Sequence, residues 1–184
     1  MSALSQGQLA GARRVLVLGV AGSLSPRLGV GAVVIYERVV SPAGGPCWEG
    51  SAVAALHQRL PEAERVTALS CDRLIHQAEE KQRLQAQAQV VDMEAGAIAQ
   101  SLGSLQIATV RIISDDLYRD LPDLSGATRA DGSLNSVKLA IALVRQPKAA
   151  LALISGSLQA LNVLEKTTYR IFAPDVNLDS SAGI

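Results

Sequence analysis

Five short segments of the chain are almost wholly apolar. Continuous apolar runs of this length, bounded by glycine, proline or polar residues, are typical of buried β-strands. The second run is the longest and is rich in β-branched residues, which favour strands. The pattern predicts strands over Val15–Val20, Gly31–Val40, Arg65–Cys71, Gln89–Asp92 and Ile107–Ile113.

The segments between and after these runs predict helices. Pro61, Gly103 and Pro147 mark the points where helices end or are separated from each other. The segment Asp72–Gln89 is rich in Gln, Glu and Ala, a composition that favours a solvated helix over a core element. The other helices are predicted over Ser51–Leu60, Met93–Leu102, Asn135–Val144 and Lys148–Leu164.

The remaining stretches predict loops and one domain boundary. Ser41–Pro46 and Ser114–Gly132 are loops by composition, and the residues from Pro174 onward are polar and aperiodic. We therefore expect a single domain over residues 1–173 and a flexible tail over residues 174–184.

Buried strands that alternate with helices are typical of a layered α/β domain. In such domains ligands bind at the carboxyl ends of the strands. Three predicted strand ends carry unusual residues, namely Gly19–Ser23, Asp92–Glu94 and Ser114–Asp116. These three ends are the first places to look for chemistry.

Composition and charge exclude several classes of function. The chain has 184 residues, of which 48% are hydrophobic, and its net charge is zero. A balanced charge argues against a nucleic-acid partner, and no apolar run reaches the roughly 18 residues that predict a membrane span. Only two cysteines (Cys47 and Cys71) and two histidines (His57 and His76) are present. Reduced thiols, a cytoplasmic location and no structural metal site are the expectation.

The acidic residues at the strand ends have structural as well as chemical interpretations. Asp92 and Glu94 lie where a helix begins, and a carboxylate there caps the helix. Asp115 and Asp116 fit a turn, or else a general acid whose protonated form is favoured by burial and by the neighbouring carboxylate. Arg111 lies inside a buried strand and needs a partner, for which Asp92 or Glu94 would serve.

Three motifs in a fixed order carry a family resemblance. They are GVAGSLSPRLGVGAVVI at Gly19–Ile35, VVDMEAGAIA at Val90–Ala99 and VRIISDD at Val110–Asp116. With these motifs the chain resembles the nucleoside phosphorylase/nucleosidase superfamily, which includes purine nucleoside phosphorylases and methylthioadenosine/S-adenosylhomocysteine nucleosidases. Within it, the chain is most similar to the hopanoid-associated phosphorylase-like branch, in which a segment like Arg119–Pro122 follows the Ser-Asp motif.

The resemblance implies a three-layer α/β/α fold with a central mixed sheet, a purine nucleoside as substrate, and a homo-oligomer. The residue matching Asp115 protonates or hydrogen-bonds N7 of the purine, which is general acid catalysis. The residue matching Glu94 binds the ribose hydroxyls, and the one matching Met93 packs against the ribose. The remaining substrate contacts that the resemblance implies come from Ala21, Gly22, Ser23, Cys71 and Leu74.

Two departures from the family pattern bear on the reaction. Phosphorylases of the superfamily hold phosphate with an Arg and a Ser or Thr in the glycine turn, where this chain has Val17 and Val20. Family members also have a strand unit before the glycine turn, whereas here that turn begins at Gly19, so the N-terminal strand unit is expected to be lacking. Hydrolysis is therefore favoured over phosphorolysis. No cofactor is expected, and phosphate is a co-substrate only if the reaction is phosphorolysis.

Three interpretations remain open from the sequence. The chain is an active purine nucleosidase or phosphorylase, a relative that binds a nucleoside without cleaving it, or a structural module whose open sheet edge favours oligomerisation. The sequence does not identify the 5′ substituent of the nucleoside.

Overall fold

The order of strands and helices follows the predicted alternation. The structure, a computed structural model, describes residues 11–102, 105–124, 126 and 136–173. The six strands are β1 Arg14–Ser23, β2 Val33–Val40, β3 Pro46–Glu49, β4 Glu64–Ser70, β5 Val90–Asp92 and β6 Gln106–Asp115. The helices are α1 Val53–Arg59, α2 Ala78–Leu84, α3 Ala95–Leu102, α4 Ser136–Arg145 and α5 Pro147–Phe172. All five predicted strands are present, and the α/β fold class is confirmed.

The strands form one mixed sheet in the order β3-β2-β4-β5-β1-β6, and β2 also pairs with β6. Strands β2 and β6 pair antiparallel over residues 33–35 and 110–112, so the sheet curls into a ring of five strands. Strand β3 pairs with the other end of β2, over residues 38–40. Strands β1 and β6 are parallel neighbours from Arg14↔Gln106 to Gly22↔Asp115. This pairing brings the glycine turn and the Ser-Asp motif together at one end of the sheet.

Three predicted elements differ from the structure. The segment Ser41–Pro46 is a turn only as far as Gly45, because β3 begins at Pro46 and pairs with β2. The predicted helix Asp72–Gln89 is helical only over α2, and α5 continues to Phe172 instead of ending at Leu164. The predicted tail over 174–184 and most of the predicted loop after Leu124 lie outside the described residues.

The core lies on both sides of the curled sheet. Inside the ring, side chains from β1, β2, β4, β5 and β6 pack together with Ala95 of α3. Outside it, Leu56 and Leu60 of the α1 region and Ala160 and Ile171 of α5 cover β2 and β6. This packing fixes the strand ends that carry the candidate chemistry.

One helix comes unusually close to strand β6. A Cβ atom on Gly156 of α5 would lie 2.2 Å from the carbonyl oxygen of Ser114. Only a residue without a side chain allows that approach. The position of the β6 end therefore depends on α5.

The outer faces of α4 and α5 carry exposed apolar side chains, namely Ile141, Val144, Leu151, Ile154, Leu158, Leu161, Tyr169 and Phe172. No single helix in the described ranges is long and apolar enough to cross a membrane. The pair Leu139–Arg145 and Pro147–Phe172 reaches that length and composition only together, and a bend of 114° separates its two members.

Candidate active site

A cavity of about 440 Å³ opens at the end of the sheet where β1, β5 and β6 finish. Ligand sites of small molecules typically enclose about 300–1,000 Å³. Its walls come from the three strand ends and from the segment after β4. The lining residues are Leu18, Gly19, Val20, Ala21, Gly22, Arg73, Leu74, Ile75, Val91, Asp92, Met93, Glu94, Arg111, Ser114 and Asp115.

Six of the eight sequence-predicted site residues line this cavity: Ala21, Gly22, Leu74, Met93, Glu94 and Asp115. The other two do not. Ser23 is fully buried, and its hydroxyl donates to the carbonyl oxygen of Ser25 at 2.9 Å. Cys71 packs in an apolar cluster, where burial raises the pKa of its thiol. The structure therefore does not place either side chain in the wall of the cavity, contrary to the expectation from the sequence.

Both carboxylate oxygens of Asp115 have partners. The ammonium of Lys81 donates to Oδ2 at 2.5 Å, and the hydroxyl of Ser114 donates to Oδ1 at 3.1 Å. The carboxylate lies against Gly22, where a Cβ atom would be 2.9 Å from Oδ2. The Gly at position 22 thus leaves the space in which this carboxylate sits.

Asp116, in contrast, points to other partners. Its carboxylate accepts from the backbone N–H of Tyr118 at 2.9 Å and lies 3.3 Å from the guanidinium of Arg119. From the sequence, Asp116 was expected to act on Asp115, but in the structure a different charge contacts Asp115. That charge is the positive one of Lys81.

Lys81 contacts Asp115 without lining the cavity, and the sequence did not predict this contact. Its side chain has 0% exposure, although it belongs to the segment Asp72–Gln89 that predicts a solvated helix. The signal lies in the spacing: Ala78, Lys81 and Leu84 fall on one face of α2, and Lys81 is the buried residue of that face. A lysine among small and apolar residues on such a face needs a buried anion.

A second charged cluster is built around Arg111. Its side chain is 3% exposed, and its Nη2 lies 3.5 Å from Asp92 Oδ2 and 3.3 Å from Glu94 Oε2. The sequence expectation that Asp92 or Glu94 partners Arg111 is met by both. The guanidinium also covers Gly19, where a Cβ atom would lie 2.0 Å from Nη1.

Asp92 holds this cluster to the fold. Its Oδ1 accepts from the backbone N–H groups of Glu94 and Ala95, at 3.2 and 3.0 Å, as a helix cap does. The phenol of Tyr36 donates to Oδ2 at 3.0 Å. Burial, with the charge of Asp92 beside it, raises the pKa of Tyr36 well above its usual value. Asp92 is thus a structural carboxylate, whereas Glu94 is 45% exposed toward the cavity.

The rest of the wall is aliphatic. Met93 is 48% exposed, and none of the described lining residues is aromatic. Two cations line the cavity, and both have carboxylate partners: Arg73 pairs with Glu80, and Arg111 pairs with Asp92 and Glu94. Across the described ranges, no three His, Cys, Asp or Glu side chains are grouped so as to hold a metal ion.

Solved structures with the same fold are nucleosidases, hydrolases and phosphorylases. A mutant Helicobacter pylori 5′-methylthioadenosine/S-adenosylhomocysteine nucleosidase with 5′-methylthioadenosine in its active site is 18% identical, with a TM-score of 0.55, and the match covers 88% of this chain and 70% of that one. For the futalosine hydrolase of H. pylori the identity is 18%, the TM-score 0.50, and the covered shares 85% and 69%. A Schistosoma purine nucleoside phosphorylase in complex with guanosine is 16% identical, with a TM-score of 0.51, and the match covers 61% of this chain and 56% of that one.

At these identities the likeness establishes the fold. The chain spans between 56% and 70% of the lengths of these three structures. No curated protein matches the sequence. Nothing in these comparisons separates the hopanoid-associated branch from others, so that assignment stays a prediction.

The family model of the phosphorylase superfamily matches residues 2–145, a range that includes the glycine turn, the Asp-Met-Glu motif and the Ser-Asp motif. Residues of the same motifs line the cavity at the ends of β1, β5 and β6. The chain therefore belongs to the phosphorylase superfamily of nucleoside phosphorylases and nucleosidases.

Proposed function

We propose that this protein cleaves the N-glycosidic bond of a purine nucleoside of the adenosine type, by hydrolysis. The observation that carries the proposal is that Asp115, Glu94 and Met93 line one cavity from the ends of β5 and β6, which lie on either side of β1. Breaking this bond places negative charge on the leaving base and positive charge on the sugar. A site for the reaction needs a proton for the base and an anion near the sugar.

The residues divide between these two tasks. Asp115 would contact the purine, and Glu94 would bind the ribose hydroxyls with the oxygen that Arg111 leaves accessible. Arg111 fixes the direction of the Glu94 side chain through the 3.3 Å contact. Met93 and Leu74 supply apolar surface, which suits a site without aromatic side chains in its described walls.

The charges of the cavity favour water over phosphate as the nucleophile. A phosphate dianion would need cations or hydrogen-bond donors, and Val17 and Val20 stand where phosphorylases of the family place them. Both described cations of the wall are already paired with carboxylates. Phosphate therefore lacks an unpaired cation in the described part of the cavity.

One observation favours a second candidate function, the binding of a nucleoside without cleavage. The three carboxylates of the cavity, Asp92, Glu94 and Asp115, all lie within 3.5 Å of a cation, so the described walls hold no unpaired carboxylate as a base for water. A protein of that kind would recognise the same nucleosides and release no base. A homo-oligomeric state and a cytoplasmic location stay predictions.

The test is release of adenine from adenosine and 5′-methylthioadenosine, measured by chromatography with and without phosphate. We expect release that does not depend on phosphate and that Asp115→Asn abolishes. Asp116→Asn is the matched control, because its carboxylate pairs with Arg119, and it should keep the wild-type rate. Undiminished release by Asp115→Asn would refute the assignment of Asp115, whereas calorimetric binding without release would select the second function.

A further inference from the structure

The ammonium of Lys81 is buried without any exposed surface, and both of its described acceptors lie at the end of β6. They are Oδ2 of Asp115 at 2.5 Å and the backbone carbonyl of Asp116 at 2.9 Å. A buried ammonium is costly unless a counter-ion and hydrogen bonds compensate for its lost hydration. The contacts with Asp115 and with the Asp116 carbonyl thus compensate for the burial of this ammonium.

This arrangement poses a problem for acid catalysis by Asp115 alone. An ionised carboxylate has no proton to give to a leaving purine. With Lys81 donating to Oδ2 and Ser114 donating to Oδ1, both oxygens of Asp115 act as acceptors. The proton for the base must therefore come from a neighbouring donor.

We propose that Lys81 is that donor, a positioning residue that supplies the proton which Asp115 passes to the purine. The inference rests on the proposed nucleosidase function. As the C–N bond breaks, its electron pair goes to the base nitrogen. Asp115 takes a proton from the Lys81 ammonium, which becomes a neutral amine, and passes that proton to the base. Water then bonds to C1′ of the sugar, and the proton it loses returns through Asp115 to the amine, which becomes ammonium again.

The chemistry of lysine suits this role. An ammonium on a flexible stem can lose its proton in a buried site, whereas a guanidinium stays charged in proteins. The other charged groups between α2 and the β6 end have partners of their own. Asp116 pairs with Arg119, Asp120 accepts from the backbone N–H of Ala78 at 2.7 Å, and Glu80 pairs with Arg73. Lys81 is thus the ammonium that contacts Asp115.

Two substrates separate proton supply from a merely structural role. Adenine needs a proton to leave, whereas 4-nitrophenol leaves from a 4-nitrophenyl riboside without one. General acid catalysis contributes roughly 10²–10⁴-fold. We expect Lys81→Met to lower kcat/KM for adenosine by about 100-fold or more, and that for the aryl riboside far less. Lys81→Arg, which keeps the charge, should show the same split.

The outcomes are distinct. An equal loss on both substrates, or wild-type activity in Lys81→Arg, would overturn the proton-supply role. Lys166→Met, a change at an exposed lysine of α5, is the control and should leave both rates unchanged. A wild-type protein that cleaves neither substrate would instead refute the proposed function.

A measurement on the wild-type protein covers the case in which the variants do not fold. Its kcat/KM for adenosine should fall at high pH, where the donor proton is lost, at a lower pH than its kcat/KM for the aryl riboside. If kcat/KM for the two substrates fell over the same alkaline pH range, the inference would be refuted without any substitution.

Discussion

Replacing Arg111 by Met tests whether the charged cluster around Asp92 holds the site end of the fold together. The change removes a buried guanidinium and leaves the carboxylate of Asp92 buried. Breaking a buried pair from one side typically costs about 3–5 kcal/mol, because an uncompensated charge remains. Asp92 keeps three hydrogen bonds, from Tyr36 and from the N–H groups of Glu94 and Ala95. Glu94 is half-exposed and can be hydrated.

We therefore expect the lower end of that range, about 3 kcal/mol. A second observation also favours the lower end of the range. Nε of Arg111 has no hydrogen-bond partner, so part of the cost of burying this guanidinium is already present in the wild type. The assay is urea unfolding followed by circular dichroism. With a denaturant slope of about 2 kcal/mol/M, the midpoint should fall by roughly 1.5 M.

The matched control is Arg83→Met, the same exchange at an arginine that is 67% exposed and pairs with Glu79 at 3.0 Å. Exposed pairs of this kind contribute little, so its midpoint should move by less than about 0.3 M. Equal shifts for the two variants, or a shift below 0.5 kcal/mol for Arg111→Met, would show that the buried cluster does not carry the stability assigned to it.

Two further substitutions probe the packing and the hydrogen bonds behind the site. Gly156→Ala places a Cβ atom against the Ser114 carbonyl, so we expect a net loss of about 1–2 kcal/mol in unfolding free energy despite the better helix propensity of Ala. Gly29→Ala, with no atom within 4 Å, is its control and should be near neutral. Tyr36→Phe removes the hydrogen bond to Asp92 and should cost about 2 kcal/mol at pH 8. Because the pKa of Tyr36 is raised in the folded state, its contribution is complete below about pH 10 and is lost as the pH rises further, so the gap between wild type and variant should narrow in unfolding curves at higher pH. A gap that widens with pH would contradict this sign.

The sequence predicted those parts of the fold whose signal is local. Each apolar run became a strand, because a run of Val, Leu and Ile must be buried wherever the chain places it. Strand β3 was missed because its four residues, Pro46–Glu49, have no such run and owe their conformation to pairing with β2. The pairing of β2 with β6, which closes the sheet, likewise has no signal in the sequence of either strand alone.

The candidate site could likewise be predicted only in part from the sequence. The order of the motifs placed Asp115, Glu94 and Met93 at one end of the sheet, but it did not tell which way each side chain points. Ser23 follows a bulge at Ala21 and Gly22, and its hydroxyl donates to the Ser25 carbonyl, so its side chain is buried away from the cavity. The role of Lys81 depends on a partner in a strand far along the chain, and its local composition resembles that of a surface helix.

The ring of strands also bears on how the protein reaches its fold. Residues 33–35 of β2 can pair with residues 110–112 of β6 only after the chain between them has been made and folded. Contacts so distant in sequence are formed late and slow the folding of a domain, because the loop-closure entropy precedes the gain in contacts. The strand that closes the ring is also the strand that ends in Asp115. The cavity, whose lining comes in part from the end of β6, is therefore complete only when this strand is in place.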